Sequence, residues 1–107
     1  MDLPEVIKDL IIAQNEHDSK TFAGYFSENA VVHDEGEIHH GREEIRLWNE
    51  ATNAKYQTML KPLDFVRTEE NSILSVLVSG NFTGSPITLK YVFKMSESKI
   101  TSLQITD

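Results

Sequence analysis

The first half of the chain has apolar residues at helical spacing. Four aliphatic residues between positions 6 and 11 recur every three or four positions and predict an amphipathic helix over residues 4–15. Asp18 stands where the N-cap of a second helix is expected, over residues 19–26. A third helix is predicted over residues 41–56, with two glutamates in its first turn and a narrow apolar stripe that includes Trp48.

Between the second and third helices the pattern changes to the period of a strand. Residues 30–34 predict a strand, residues 35–37 a turn, and residues 38–40 a short return strand. Because strand side chains alternate between faces, Asp34 shares a face with Ala30 and Val32. A carboxylate therefore ends an apolar row. It is a solvated strand end, a hydrogen-bonded structural acid, or a group at the bottom of a pocket.

The second half of the chain predicts four strands, over residues 57–66, 73–82, 87–95 and 100–106. Pro62, in the first of them, has no amide hydrogen and indicates an edge strand or a bulge. The turns between the last three strands are short, which predicts antiparallel neighbours.

The order of elements is therefore α-α-β-β-α-β-β-β-β, and it predicts an α+β fold. We expect a cone-shaped roll in which three helices pack on a curved sheet that is mixed but mainly antiparallel. Side chains alone do not fill such a core at one end, so we expect a cavity there. No repeat or linker divides the chain, which we interpret as a single domain over residues 1–107.

Composition narrows the functional classes. A chain of 107 residues buries roughly 65% of its unfolded surface, so stability requires neither a metal nor a disulfide. The absence of cysteine excludes thiol chemistry. The formal charge of -7 opposes binding to a phosphate backbone or an anionic membrane. Because no signal-like segment or apolar run of about 20 residues is present, we expect a cytoplasmic protein without nucleic-acid or membrane partners.

The element order and several motifs resemble the nuclear transport factor 2-like superfamily, and within it the SnoaL-like and ketosteroid isomerase-like branch with its polyketide cyclase-like members. The resemblance covers nearly the whole chain. It rests on residues 15–18 between the first helices, residues 26–34 into the first strand, Gly41 followed by Ile45 and Trp48, and the turn over residues 80–86. These motifs specify the fold better than the activity, because the superfamily contains several enzyme classes and proteins with no chemistry.

The resemblance implies a role for Asp34. In the isomerase and cyclase members, an aspartate at the end of the first strand is the general base that moves a proton on carbon beside a carbonyl, and Asp34 falls on that position. Independently of the family, a carboxylate walled by apolar groups is poorly solvated when charged, so we expect a raised pKa. The residues that polarise the carbonyl in ketosteroid isomerases align here with Leu10 and Leu89, so both donors are missing.

The walls of the predicted cavity come from the helices and from the concave face of strand 87–95. Trp48 is either a wall of the cavity or plain core. The hydroxyls of Tyr56 and Tyr91 either enter the cavity or bond to the backbone. The candidate ligand-binding residues are Leu10, Trp48, Tyr56, Leu89, Tyr91 and Phe93.

Histidines and carboxylates cluster around the hairpin without predicting a metal site. His39 and His40 lie on opposite faces, as do His33 and Asp34, and no helix carries a spaced pair of histidines. We expect no metal and no organic cofactor. His40 shares a face with Ile38, and pairing across the hairpin predicts that His40 lies near Asp34 as an orienting or proton-sharing partner.

Two functions fit these residues about equally. The first is a small-molecule pocket protein that acts as an isomerase or cyclase-like enzyme on an apolar carbonyl compound, with Asp34 as base. The second is a non-catalytic ligand-binding or dimerisation module, which the missing donors favour. A third, weaker possibility is an accessory protein that binds another chain at the open sheet face.

Strand 73–82 also predicts a partner, because it is apolar on both faces. Aliphatic residues on the convex side of a sheet are normally buried against something. We therefore expect a homodimer through the outer face of the late sheet. The two apolar rows are Leu74, Val76 and Val78 on one face, and Ile73 and Leu77 on the other.

Overall fold

The computed structural model describes the whole chain, Met1–Asp107, as three helices and six strands in the predicted order. None of the helices is long and apolar enough to cross a membrane. The elements are α1 (Glu5–Asn15), α2 (Ser19–Gly24), β1 (Phe26–Asp34), β2 (Glu37–His40), α3 (Gly41–Tyr56), β3 (Met59–Arg67), β4 (Ser72–Ser79), β5 (Ile87–Ser96) and β6 (Lys99–Thr106).

All six strands form one sheet in the order β2-β1-β6-β5-β4-β3. Only β1 and β6 pair in parallel, and every other neighbouring pair is antiparallel. The predicted α+β fold with a mixed, mainly antiparallel sheet is therefore confirmed. The prediction for Pro62 is confirmed as well, since β3 is an edge strand whose register shifts between Pro62 and Asp64.

Asp18 caps α2 as its sequence context predicts. One carboxylate oxygen accepts a hydrogen bond from the Thr21 amide at 3.1 Å, and the other accepts from the Thr21 hydroxyl at 2.7 Å. An N-cap side chain of this kind satisfies an amide that has no partner within the helix. It thereby fixes the point where the chain turns from α1 into α2.

The boundaries that differ most from the predictions are the start of β1 and the end of β4, and tertiary contacts explain both. The second helix ends at Gly24 because Phe26 already pairs with Ile100 in β6, so β1 begins four residues earlier than residue 30. Strand β4 ends at Ser79 because the chain then passes very close to the end of α3. A Cβ atom on Gly80 would lie 2.5 Å from the carbonyl oxygen of Tyr56, which only glycine avoids at this approach.

The core is one cluster of 18 buried apolar residues between the helices and the inner face of the sheet. On β4 the buried and half-buried side chains alternate: Leu74, Val76 and Val78 face the helices, whereas Ile73 and Leu77 lie half-buried on the outer face. Tyr91 belongs to this cluster and also lines a cavity. It therefore marks the boundary between the filled and the open part of the cone.

Candidate functional site

The open end of the sheet holds a cavity of about 480 Å³. This volume falls within the roughly 300–1,000 Å³ that is usual for small-molecule sites. The cavity lies between the sheet, α3 and the β1–β2 hairpin, and Gln14 and Thr58 add to its wall. The sheet contributes Val78, Ile87, Leu89, Tyr91 and Ile105; the turn between β4 and β5 contributes Phe82; α3 contributes Trp48, Asn49, Ala51, Thr52, Lys55 and Tyr56; the hairpin contributes Asp34, Glu35, Glu37 and His39.

Asp34 stands at the cavity wall at the end of an apolar row. Ala30 and Val32, the preceding residues of the row, are fully buried, and Asp34 itself is half-buried. The indole N–H of Trp48 donates a hydrogen bond to Asp34 Oδ2 at 3.3 Å. Trp48 lies on α3, so this bond ties the end of β1 to the helix that covers it. Asp34 is therefore a pocket carboxylate rather than a solvated strand end.

The surroundings of Asp34 favour its neutral form. Loss of solvent by burial raises the pKa of Asp34 above its ordinary value of 3.8, and the negative charge of Glu35 raises it further. The hydrogen bond from Trp48 and the proximity of His39 act in the opposite direction without reversing the rise. This direction agrees with the one expected from the sequence. A carboxylate of raised pKa is a stronger base than a solvated aspartate.

The histidine beside this acid is His39, and the prediction for His40 is wrong. In the β1–β2 ladder Asp34 pairs with Glu37, Val32 with His39, and Val31 with His40. Paired residues share a face, so His39 joins the row of Asp34 while His40 is exposed on the other side. The His39 ring stacks on Trp48, with 5.6 Å between ring centroids and 30° between planes. His39 was not among the site residues predicted from the sequence.

Four of the six candidate ligand-binding residues line the cavity, namely Trp48, Tyr56, Leu89 and Tyr91. Their contact with a ligand stays a prediction. Leu10 and Phe93 do not line the cavity, because both are fully buried in the core. Both belong to the core cluster, which is the filled part of the cone. Asn81 and Ser85 of the turn over residues 80–86 are likewise absent from the lining, where Phe82 stands instead.

A buried network of amides supports the cavity from the helix side, and the hydrophobic pattern of the sequence does not reveal it. Asn49 Nδ2 donates to Gln14 Oε1 at 2.7 Å, and Gln14 Nε2 donates to Asn53 Oδ1 at 2.7 Å. Asn49 Oδ1 accepts from the Ser19 hydroxyl at 2.6 Å and from Asn53 Nδ2 at 3.0 Å. The network holds α1, α2 and α3 together beside the cavity, and Gln14 and Asn49 form part of its wall.

Charge at the site is mainly negative. Asp34, Glu35 and Glu37 line the hairpin side, whereas Lys55 is the one lysine or arginine in the lining. An anionic ligand would therefore meet net repulsion, and a neutral apolar ligand would not. No group of three or more histidine, aspartate or glutamate side chains is placed so that it could hold a metal ion.

Comparisons with solved structures agree with this fold. The chain is similar to a candidate polyketide cyclase of Sinorhizobium meliloti, at 32% identity and a TM-score of 0.94 over 99% of this chain and 97% of that chain. It shares its fold with a hypothetical protein of Catenulispora acidiphila that has a ketosteroid isomerase-like fold, at 18% identity and a TM-score of 0.87 over 99% of this chain and 87% of that chain.

A nuclear transport factor 2-like protein of unknown function from Cytophaga hutchinsonii has the same fold, at 17% identity and a TM-score of 0.79 over 100% of this chain and 95% of that chain. No protein-family model matches the sequence, and no curated protein matches it. The identity and coverage shared with the Sinorhizobium protein show the family. The chain belongs to the nuclear transport factor 2-like superfamily, in its SnoaL-like and ketosteroid isomerase-like branch.

Proposed function

We propose that the protein binds a small apolar carbonyl compound in this cavity and moves a proton on the carbon beside the carbonyl, with Asp34 as the base and no cofactor. The observation that carries this proposal is the position of Asp34. It is a carboxylate at the wall of a 480 Å³ cavity, held by Trp48 and destabilised in its charged form by burial. The similarity to a candidate polyketide cyclase supports the same class of reaction.

The substrate class follows from the lining. The sheet side of the cavity is almost entirely apolar, and aromatic residues stand on both walls. The carboxylates on the hairpin side oppose a substrate that carries its own carboxylate or phosphate. A neutral cyclic ketone or polyketide-like ring therefore fits the lining better than a charged metabolite.

A non-catalytic binding module is the second candidate, and one specific observation favours it. At the two positions where ketosteroid isomerases carry carbonyl-polarising groups, this chain aligns Leu10 and Leu89. Leu10 is fully buried in the core, and Leu89 offers the cavity only an aliphatic side chain. Loss of one such donor typically costs about 10²-fold or more in rate.

Hydrogen exchange on carbon separates the two functions. Wild-type protein and Asp34→Asn are each incubated in D₂O with cyclohexanone, 1-tetralone and 3-cyclohexenone, and deuterium uptake beside the carbonyl is followed by proton NMR. General-base catalysis predicts that Asp34→Asn slows the catalysed exchange by about 10²- to 10⁴-fold. The amide keeps the shape of the acid, so binding of the ketone, measured by quenching of Trp48 fluorescence, should change little.

Asp64→Asn is the matched control, because Asp64 is an exposed carboxylate on β3 outside the cavity. It should leave exchange at the wild-type rate. If wild type accelerates exchange no more than Asp34→Asn does, while both bind the ketones, the binding-module function is correct and the catalytic one is refuted.

A further inference from the structure

Proton removal beside a carbonyl places negative charge on the carbonyl oxygen, and that charge requires a hydrogen-bond donor. In a site shielded from water, a fixed donor at this oxygen is among the largest contributions to rate. Neither Leu10 nor Leu89 supplies one. The indole N–H of Trp48 is already engaged with Asp34. Any donor for the oxygen must therefore come from elsewhere on the cavity wall.

The Tyr91 hydroxyl meets the geometric requirements of such a donor. Tyr91 lines the cavity, yet the side chain is only 8% exposed. It lies in the middle of β5, paired with Leu74 on one neighbouring strand and Ile105 on the other, so its backbone is fixed on both sides. The hydroxyl has no hydrogen-bond partner within the chain. It is also not one of the fully buried polar atoms that lack a partner, so the oxygen faces the open cavity.

Electrostatics keep this hydroxyl protonated. Burial raises the pKa of Tyr91 well above its ordinary value of 10.0, and the negative charge of Asp34 raises it further. Asp34 and Tyr91 also line the same cavity. A phenol that stays neutral at physiological pH remains a donor throughout the working range.

We propose that Tyr91 is the catalytic residue that donates a hydrogen bond to the carbonyl oxygen while Asp34 moves the proton, an inference that rests on the proposed function. The Asp34 carboxylate accepts the proton from the carbon beside the carbonyl. The electron pair of the broken C–H bond forms a C=C bond, and the C=O π pair moves to the oxygen, whose charge the Tyr91 O–H stabilises. Protonated Asp34 then returns its proton to a carbon of the enolate, and the C=O bond re-forms.

Binding of 4-nitrophenolate tests this donor without requiring any reaction. The phenolate oxygen mimics the enolate oxygen, and Asp34→Asn serves as the parent protein because its neutral amide mimics the protonated base. Affinity is measured by quenching of Trp48 fluorescence, and ionisation of the bound phenol by its visible absorbance. The neutral analogue 4-nitrotoluene, which has the same ring and nitro group without the oxygen, reports whether the cavity keeps its shape.

In the Asp34→Asn background, Tyr91→Phe should weaken 4-nitrophenolate binding by about 10- to 100-fold, as expected for the loss of a hydrogen bond to a charged group. It should leave 4-nitrotoluene binding unchanged. Tyr25→Phe is the matched control, because Tyr25 packs against the core outside the cavity, and it should alter neither affinity.

Three outcomes would overturn the proposal. The first is an unchanged affinity for 4-nitrophenolate in Tyr91→Phe. The second is an equal loss of affinity for 4-nitrophenolate and 4-nitrotoluene, which would mean that Tyr91 only shapes the cavity. The third is no binding of 4-nitrophenolate by Asp34→Asn itself. Failure of the proposed function looks different. In that case, wild type would not accelerate exchange on ketones, yet Tyr91→Phe would still weaken phenolate binding selectively.

Discussion

Replacing Asn49 by alanine should destabilise the fold by about 2–4 kcal/mol, because it leaves buried partners without hydrogen bonds. Asn49 is only 2% exposed and takes part in three hydrogen bonds of the amide network. After the substitution, Gln14 Oε1 has no donor and the Ser19 hydroxyl has no acceptor within the chain. Asn53 Nδ2 keeps only a long contact of 3.5 Å to Ser19, while Asn53 Oδ1 still accepts from Gln14 Nε2 at 2.7 Å.

The magnitude follows from these losses. Two fully orphaned buried groups cost about 1–3 kcal/mol each, or roughly 2–6 kcal/mol together. Two effects reduce that sum. Alanine favours a helix over asparagine by about 0.5 kcal/mol, and the cavity beside Asn49 can admit a water that satisfies part of the network. The lower part of the range is therefore expected, which is still a large fraction of the typical 5–15 kcal/mol of a domain's stability.

A second substitution at the same position separates lost hydrogen bonds from lost volume. Asn49→Asp keeps the shape and both accepting interactions, but it places a carboxylate oxygen against Gln14 Oε1. Burial should raise the pKa of the introduced carboxyl, since its charged form is penalised in the folded state. The protonated acid can donate to Gln14, so this variant should be close to wild type at acid pH and lose stability as the pH rises above about 4.

Urea unfolding followed by the fluorescence of Trp48, the single tryptophan, measures these free energies by linear extrapolation. Asn81→Asp is the matched control, because Asn81 is exposed and its side chain lies outside the network. It should behave like wild type across the pH range. A loss below about 1 kcal/mol in Asn49→Ala with an unchanged urea slope would refute the assignment of stability to the amide network.

Two other predictions concern the base and the assembly. Carboxyl-carbon NMR should show that Asp34 titrates above its ordinary pKa of 3.8. Asp34→Asn should then gain stability relative to wild type as the pH rises above 3.8, by about 1.4 kcal/mol for a tenfold weaker acid in the folded state. A titration at or below 3.8 would remove the desolvated-base argument. Light scattering at micromolar concentration should show a homodimer that buries Ile73, Leu77 and Val66 of the outer sheet face, and a monomer would contradict this.

The order of elements was predictable because each element carries its own periodicity. Helical spacing identifies α1 and the alternation along β4 identifies a strand whatever the neighbours are. The ends of elements were less predictable where distant contacts decide them. Phe26 fits the end of a helix by composition, and only its pairing with Ile100 assigns it to β1. Similarly, Gly80 ends β4 because Tyr56 stands next to it in space.

The amide network was not predictable from hydrophobic pattern for a related reason. Ile45, Asn49 and Asn53 follow one another every four residues and form the buried face of α3. A search for apolar residues assigns asparagines to solvent, since unpaired amides are costly to bury. Their burial becomes favourable only because Gln14 and Ser19 arrive from other helices with complementary donors and acceptors.

His39, and not the predicted His40, lies on the face of Asp34 for a single physical reason, the length of the hairpin turn. A three-residue turn over residues 35–37 would pair Asp34 with Ile38 and Val32 with His40, which would bring His40 onto the face of Asp34. The observed turn has two residues, Glu35 and Gly36, both with positive φ, of 51° and 77°. Positive φ at both central positions is typical of the tight hairpin turn, and glycine at the second position favours it. One residue fewer in the turn moves every side chain of β2 to the opposite face. The length of this turn, rather than the chemistry of either histidine, therefore determines which imidazole reaches the cavity.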